Sequence, residues 1–156
     1  TDAGGQRIAA ASTLWAMIDV KTRQPLDLRD NVDYSRALLA IPCPIDKPAK
    51  IGRIEGVPCD SRRVRYSDID FNQHTNSMKY IQWMLDALPL EKLTGCRMKR
   101  LDVNFVHETR YGQQLVVCCE YGTDRDRFEI RFDDGTAACK AAIRWETSDE
   151  RSNQTA

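Results

Sequence analysis

SDIDFNQHTNSMKYIQWMLDAL, residues 67–88, is the stretch around which the chain is organised. Its second half repeats apolar residues at helical spacing, at Met78, Ile81, Met84, Leu85 and Leu88. This spacing predicts a helix that buries one face. Asn76 precedes the pattern and offers a side-chain oxygen as an N-terminal cap, and Pro89 cannot continue a helix. The sequence therefore predicts a helix between Asn76 and Pro89.

Three polar side chains of different kinds lead into this helix. Asp70, Asn72 and His74 alternate along the chain, and in an extended backbone alternate side chains point to the same face. A helix N-terminus carries free N–H groups and a partial positive charge, which suits a carbonyl oxygen or a developing oxyanion. An imidazole can act as acid, base or orienting group near neutral pH. The three residues are therefore candidates for chemistry at the start of the helix.

The composition is that of an ordinary globular domain. Apolar residues make up 42% of the 156 residues and charged residues 29%, which is enough for one domain with a core. Lys and Arg equal Asp and Glu at 23 each, so no net charge favours nucleic-acid binding. No apolar run reaches the length of a membrane span, and the first residues show no signal-peptide pattern. We expect a cytoplasmic protein without a membrane span.

Six cysteines stand at positions 43, 59, 96, 118, 119 and 139. None of them forms a C-x-x-C pair, and neither histidine stands at zinc-finger spacing from them. We therefore expect reduced, mostly buried thiols and no metal site.

Segments on both sides of the helix predict an antiparallel sheet. The predicted strands are 57–66, 101–107, 114–121, 127–132 and 136–147. A turn is expected at 91–95, and Asp133-Asp134-Gly135 is a hairpin signal between the last two strands. One strand, one helix and four antiparallel strands predict an α+β domain in which a sheet wraps a helix.

The beginning of the chain carries a different pattern. Residues 7–20 are apolar at both odd and even positions, which predicts a central strand buried on both faces. A short helical pattern lies within residues 26–39, and four prolines between positions 42 and 58 predict an extended connector. The polar end of the chain, from Ser148, is expected to be disordered.

The pattern D-x-N-x-H-x-N followed by x-x-K-Y-I-x-W, at residues 70–83, resembles the motif of the acyl-ACP thioesterases of plants and bacteria. The resemblance implies the hotdog fold, an antiparallel sheet around a central helix, present in that family as two tandem copies. It implies these domains: 1–40 a remnant of the N-terminal hotdog domain, 41–56 a linker, 57–147 the catalytic C-terminal hotdog domain and 148–156 a disordered tail. We expect an N-terminally truncated chain that lacks most of the acyl-chain slot.

The resemblance also implies the residues of the active site. Asp70, Asn72 and His74 match the motif, and Glu108 matches a catalytic Glu that in the plant enzymes precedes a Cys once considered the nucleophile. Here Thr109 follows Glu108. A Cys–His–Asn mechanism therefore loses its nucleophile, and direct attack by water, with Glu108 or Asp70 as the base, is favoured. Asn72 and the first amides of the helix would stabilise the oxyanion, and no cofactor or metal is implied.

Basic residues are candidates for binding the substrate. The family implies a fatty acyl thioester on the phosphopantetheine of acyl carrier protein, an acidic partner in fatty acid biosynthesis. The candidate residues are Arg62, Arg63, Arg97, Lys99 and Arg100. A solvated charged face is the alternative, because the sequence does not place these residues on one surface. Hotdog domains usually pair to extend their sheets, so a homo-oligomer is also expected.

Two other functions stay open. Single-domain acyl-CoA thioesterases of hotdog fold share a D-x-D-x-x-G-H-x-N pattern, and this chain has Gln73 where they usually have Gly. The second is an inactive acyl-carrier-binding module, left after loss of the first domain. Hotdog hydratases are disfavoured, because their D-x-N-P-x-H pattern puts the His five residues after the Asp. Here His74 follows Asp70 by four.

Overall fold

The computed structural model describes residues 1–31, 33 and 41–146. The chain divides into two compact units, Thr1–Pro48 and Ala49–Ala156. Residues 32 and 34–39 of the predicted helical pattern and the predicted tail at 148–156 lie outside the described residues. In the described part of the chain, no helix is long and apolar enough to cross a bilayer.

The described residues of the first unit, 1–31, 33 and 41–48, hold little regular structure. Strand β1 (Met17–Ile18) pairs antiparallel with β2 (Pro25–Leu26), and helix α1 spans Leu28–Asn31. The turn between the strands is held by Asp19, whose carboxylate accepts from the amides of Lys21 and Thr22. The prediction of a buried central strand over residues 7–20 is wrong: only Met17–Ile18 is a strand, it pairs on one side, and Ile18 is 46% exposed. Most of the segment is exposed and unpaired, because a strand forms only where a neighbour takes its backbone hydrogen bonds.

Over its described residues, 49–146, the second unit forms a five-stranded antiparallel sheet with two α-helices. In chain order its elements are β3 (Val57–Arg63), a 3₁₀ turn (Tyr66–Asp68), α2 (Ser77–Asp86), α3 (Leu90–Gly95), β4 (Met98–Phe105), β5 (Gln114–Glu120), β6 (Arg125–Phe132) and β7 (Ala137–Trp145). The strand order is β3-β5-β6-β7-β4, and every neighbouring pair is antiparallel. The α+β prediction is confirmed. The segment expected to be a turn at 91–95 is instead most of α3.

Helix α2 forms as its sequence predicts and supplies one half of the core. The side chain of Asn76 accepts from the amide of Met78 at 2.9 Å and caps the helix. Tyr80, Trp83 and Met84 are buried against one face of the sheet. The sheet residues in this core are Leu115, Val117, Cys119, Phe128, Ile130, Ala138, Cys139, Ala141, Ile143 and Trp145. The apolar face of α2 therefore fixes where its N-terminus lies.

A strap formed by residues 49–55 is tied to the sheet before β3 begins. The amides of Ala49 and Ile51 donate to the side chains of Asp102 and Asn104 on β4, at 3.0 and 2.8 Å. The Ile54 amide donates to Glu129 on β6, and Ile51 and Ile54 are buried. The second half of the predicted 41–56 linker is therefore docked on the sheet, whereas the domain limits themselves stay a prediction.

Two cysteines are paired, which corrects the expectation of six reduced thiols. Cys59 and Cys119 form a disulfide with Cα atoms 6.0 Å apart. The register between β3 and β5 shifts between Pro58 and Asp60, so Cys59 is the extra residue of a bulge. The pairing of β3 with β5 brings together these two positions, which lie 60 residues apart in sequence. The free cysteines are Cys43, Cys96, Cys118 and Cys139.

Candidate active site

The loop that leads into α2 is a tight turn rather than an extended strand. The Asp70 amide donates to the His74 carbonyl at 2.8 Å, and the Gln73 amide donates to the Asp70 carbonyl at 3.0 Å. Gln73 has a φ of 63°, in the left-handed region where Gly is most easily accommodated. The expectation that Asp70, Asn72 and His74 alternate along an extended backbone is therefore wrong, because the chain reverses between them.

The carboxylate of Asp70 holds this turn together. Its Oδ1 accepts from the amide of Asn72 at 2.8 Å and from the amide of His74 at 3.3 Å. These are the hydrogen bonds of an Asx-type turn, a common role for Asp. Asp70 is therefore placed to orient the backbone of His74. The side chain of Asn72 lies exposed in the same turn.

A second loop, residues 106–113, lies alongside the first. His74 forms an isolated antiparallel bridge with Arg110, and the Thr75 amide donates to the Thr109 carbonyl at 2.8 Å. The segment after β4 thus pairs for a few residues with the segment before α2. Residues 34 positions apart in sequence become neighbours in this way.

His74 and Glu108 meet in this pairing. His74 Nε2 lies 3.3 Å from Glu108 Oε2, with 25% of the His74 side chain and 45% of the Glu108 side chain exposed. The Arg110 guanidinium also approaches Nε2, at 3.2 Å. Nε2 accepts from Arg110 when it carries no hydrogen and donates to Glu108 when it does. The group is thus a carboxylate, an imidazole and a guanidinium that water can reach.

Thr109 points the other way, into the core. Its side chain is 0% exposed, and its hydroxyl oxygen lies 2.5 Å from Thr75 Oγ1 and 2.8 Å from the Tyr80 hydroxyl. The Tyr80 hydroxyl also accepts from the Thr109 amide at 3.1 Å. Burial raises the pKa of Tyr80, so this phenol stays protonated. The Thr109 hydroxyl is thus buried and hydrogen-bonded to two other hydroxyls, which leaves it unsuited to act as a nucleophile.

The start of α2 offers fewer free amides than the sequence predicts. The Asn76 side chain occupies the amide of Met78, and the Lys79 amide donates to the Asn76 carbonyl at 2.8 Å. The Asn76 amide in turn donates to the Asp68 carbonyl. An oxyanion at this end of the helix would therefore depend on the exposed amide of the Asn72 side chain more than on the helix itself.

The candidate basic residues fall into two groups at opposite edges of the sheet. Arg62 and Arg63 lie on β3, whereas Arg97, Lys99 and Arg100 lie at or just before the start of β4. These edges are four strand spacings apart, or ~19 Å at ~4.8 Å each. Ion pairs hold several of them: Arg62 with Asp60 and Asp86, Arg97 with Glu146, and Arg100 with Asp102. Their role in substrate binding stays a prediction.

The sequence analysis does not predict three residues that the structure places at the candidate site: Thr75, Tyr80 and Arg110. The signal for Arg110 was present, because residues 108 and 110 share a face of an extended segment and residue 109 faces away. The hydroxyl cluster had no such signal. Its members come from α2 and from two loops, and only the packing of the helix on the sheet brings them together.

The surroundings of the second histidine and of possible metal ligands complete the description of the site. The second histidine, His107, contacts the Ala137 carbonyl through Nδ1 at 2.8 Å. In residues 1–31, 33 and 41–146, no group of three or more His, Cys, Asp or Glu side chains is arranged to hold a metal ion.

Comparisons with known proteins identify the family. The family model of the acyl-ACP thioesterase C-terminal domain matches residues 55–147, which include α2, the sheet and both site loops. A palmitoyl-acyl carrier protein thioesterase of Cuphea hookeriana is 30% identical, over 90% of this chain and 37% of that protein. An acyl-[acyl-carrier-protein] hydrolase of Cuphea viscosissima is 27% identical, over 96% of this chain and 39% of that protein. The chain thus spans about two fifths of the length of these curated relatives.

Solved structures agree with the fold. The crystal structure of an acyl-ACP thioesterase from Bacteroides thetaiotaomicron superposes with a TM-score of 0.71 at 28% identity, over 83% of this chain and 53% of that one. The 12:0-ACP thioesterase from Umbellularia californica gives 0.64 at 17% identity, over 83% and 51% of the two chains, which supports the fold alone. The chain therefore belongs to the acyl-ACP thioesterase family, and residues 55–147 are its C-terminal hotdog domain.

Proposed function

We propose that the chain hydrolyses a fatty acyl thioester on acyl carrier protein to a free fatty acid and the carrier thiol. The observation that carries the proposal is the contact between His74 Nε2 and Glu108 Oε2, at 3.3 Å. It joins the two loops that the family motif predicts to form the site. An exposed carboxylate beside an imidazole is a common arrangement for general acid–base catalysis.

The proposed reaction is a direct attack by water. Glu108 removes a proton from a water molecule as its oxygen forms a bond to the thioester carbonyl carbon. The carbonyl oxygen takes the electron pair and is stabilised by the Asn72 side-chain amide. When the tetrahedral intermediate collapses, the C–S bond breaks and the proton passes to the sulfur with the help of His74. Asp70 fixes the turn that holds Asn72 and His74.

The hydroxyl cluster supports water as the nucleophile. The residue after Glu108 is Thr109, whose hydroxyl is buried and hydrogen-bonded to both Thr75 and Tyr80. An acyl-enzyme at this position would require the cluster to open. Water can reach the half-exposed Glu108 without any rearrangement.

The carrier-protein substrate is proposed from the relatives. The proteins from both Cuphea species are named as acting on acyl carrier protein. Arg62, Arg63, Arg97, Lys99 and Arg100 are the basic residues proposed to meet an acidic carrier and its phosphopantetheine. Because they divide between two edges of the sheet, one carrier would contact one of the two groups.

The test is the release of free fatty acid from a panel of acyl-ACPs and the matching acyl-CoAs. We expect turnover of acyl-ACP, and a loss of at least ~10²-fold in His74→Ala and Glu108→Gln, the size of a lost acid–base group. Matched controls are His107→Ala, the second histidine, and Glu91→Gln, an exposed glutamate on α3. Both controls should retain the parent rate.

The outcomes separate the alternatives. Preference for acyl-CoA would assign the chain to the acyl-CoA thioesterases. If the chain is inactive until an N-terminal hotdog domain is added, the site is correct and the catalytic half depends on its partner. If no thioester is cleaved in either form, the enzyme proposal fails and a carrier-binding module is favoured.

We also propose that the domain associates with a second hotdog domain, in the simplest case a second copy of this chain. The support is that β3 and β4 are the edges of the described sheet, and an edge strand presents backbone groups that a second strand can pair with. Light scattering behind a sizing column measures the mass. A monomer at assay concentration would contradict this proposal.

A further inference from the structure

A buried cluster of three hydroxyl groups stands directly behind the candidate site. It consists of Thr75 from the first loop, Thr109 from the second loop and Tyr80 from α2. All three side chains are buried, and the hydroxyl oxygens are separated by 2.5 Å between the threonines and 2.8 Å between Thr109 and Tyr80. The proposed chemistry uses none of them.

Tyr80 is the member that connects this cluster to the core. Its ring packs edge-on against Trp83 and Phe105, with centroids 5.7 and 5.8 Å away, so the position of its hydroxyl is set by α2 and β4. That hydroxyl makes two contacts with Thr109: it accepts from the amide at 3.1 Å and shares a hydrogen bond with Oγ1 at 2.8 Å. Residue 109 is thereby held by both its backbone and its side chain.

The neighbours of Thr109 are Glu108 and Arg110, the two residues that contact the His74 ring. Because side chains alternate along an extended segment, fixing residue 109 inward fixes residues 108 and 110 outward. On the first loop, Thr75 directly follows His74. Its amide and its hydroxyl both make hydrogen bonds to Thr109. One buried cluster therefore sets the positions of both loops.

We propose that Tyr80 is the positioning residue of the site: its hydroxyl, acting through Thr109 and Thr75, holds Glu108 and Arg110 against His74. The proposal rests on the function proposed above for its kinetic consequence, but the geometric part does not depend on turnover. Tyr80 touches no reacting atom in this scheme and acts through the backbone of the second loop.

Tyr80→Phe removes the hydroxyl and keeps the ring. The chain offers a matched control in Tyr121→Phe, because the Tyr121 hydroxyl donates to the Ala87 carbonyl at 2.6 Å, just past the far end of α2. Each variant loses one phenolic hydroxyl: that of Tyr80 joins α2 to the second loop, and that of Tyr121 bonds the residue that follows α2. They differ in which end of α2 is affected.

The first measurement is the ¹⁵N and ¹H spectrum of the two histidine rings at a fixed neutral pH, with His74→Ala to assign the signals. We expect Tyr80→Phe to shift the His74 ring signals and to leave His107 unchanged, and Tyr121→Phe to shift neither. This outcome supports the positioning role whether or not the chain cleaves thioesters. Unchanged His74 signals in Tyr80→Phe would overturn it.

The second measurement is the kinetics of thioester cleavage. We expect kcat of Tyr80→Phe to fall by ~10-fold or more at nearly unchanged KM, because a small displacement of a catalytic group lowers the rate without weakening substrate binding. Thr109→Ser, which keeps the hydroxyl, should retain kcat, and Thr109→Val should lose it. Thr109→Val also serves as the test if Tyr80→Phe does not fold. Kinetics of Tyr80→Phe equal to those of Tyr121→Phe would contradict the inference, while turnover of the parent would leave the proposed function intact.

Discussion

Two apolar segments of this chain have the sequence character of buried strands, and only one of them is buried. Residues 7–18 lie in the first unit and β7 (Ala137–Trp145) in the second. Trp15 is 85% exposed and its indole N–H donates to the nearby Thr13 hydroxyl, whereas Trp145 is 3% exposed and its indole N–H donates to the buried Asp126 carboxylate at 2.6 Å. β7 has a hydrogen-bonded strand on each side. An apolar pattern thus indicates that burial would be favourable for a segment. The segment is buried only where neighbouring strands pair with it.

The largest expected difference is between the two tryptophans. Trp145→Ala should lower the free energy of unfolding by about 4 kcal/mol, because it removes a large core side chain and leaves a cavity. Trp15→Ala should change it by less than about 0.5 kcal/mol, as is usual for an exposed side chain. Urea unfolding followed by circular dichroism measures both. A comparable loss in Trp15→Ala would show that residues 7–18 are packed in solution.

The next largest change in the free energy of unfolding is expected at a buried ion pair. Lys92 Nζ lies 2.7 Å from the fully buried carboxylate of Asp126 and also donates to the Gly122 carbonyl. Lys92→Ala should cost about 3 kcal/mol, since it leaves a buried charge without its counter-ion. Lys21→Ala, at an exposed position of the first unit, is the control and should be neutral. Urea unfolding measures the stability of both variants. Equal stabilities would contradict the burial of Asp126.

The free thiols of the two units should differ in how they make the free energy of unfolding depend on pH. Burial raises the pKa of Cys139 to about 12, while an unfolded thiol ionises near ~8.5. Between these values only the unfolded state loses the proton, so stability falls as pH rises, by about 2 kcal/mol from pH 8 to pH 10. Below ~8.5 both states keep the proton and the contribution is fully present.

The variants that test this are Cys139→Ala and Cys43→Ala. Cys139→Ala should flatten the alkaline loss of stability, whereas Cys43→Ala, which removes an exposed thiol of the first unit, should not. Urea unfolding at several pH values gives both slopes. An unchanged slope in Cys139→Ala would assign the alkaline loss to other groups.

The smallest effect concerns backbone strain, for which the described residues of each unit offer one non-glycine position with a positive φ. Gln73 and Arg23 have φ values of 63° and 59°. Gln73→Gly should stabilise the second unit by roughly 0.5 kcal/mol, because relief of the left-handed conformation slightly exceeds the entropy that Gly adds to the unfolded chain. Arg23→Gly should leave the unfolding of the sheet unchanged. A destabilised Gln73→Gly would mean that the side chain of Gln73 makes a stabilising contact.

Local patterns in the sequence were enough to predict much of the fold. The helix at 77–86, its Asn76 cap and the five strands of the second unit follow from apolar spacing and turn residues. The pairing of β4 with β7 and the disulfide of Cys59 with Cys119 do not. Both join positions distant in sequence, and only the packed sheet specifies them.

In the candidate site, too, some residues follow from local sequence patterns and others depend on contacts between distant segments. His74 and Asn72 stand in a motif, and Glu108 was found through the family resemblance and not from its neighbours. Arg110 and Tyr80 were missed because their role depends on the contact between two loops and a helix. The prediction of an extended segment at 70–74 is wrong, since alternation of polar residues does not distinguish a strand from an Asx turn.

The strand order of the sheet has a consequence for the growing chain on the ribosome. β4 pairs with β7, the last strand of the described sheet in chain order, so β4 has no partner within this sheet until 32 further residues, 106–137, have been added and β7 begins to appear. At ~5–20 residues per second this is a delay of roughly 2–6 s. During that interval the apolar side chains Leu101, Val103 and Phe105 lack the β7 neighbour they have in the finished sheet. A nascent chain paused before β7 therefore leaves these side chains open to aggregation and to capture by chaperones.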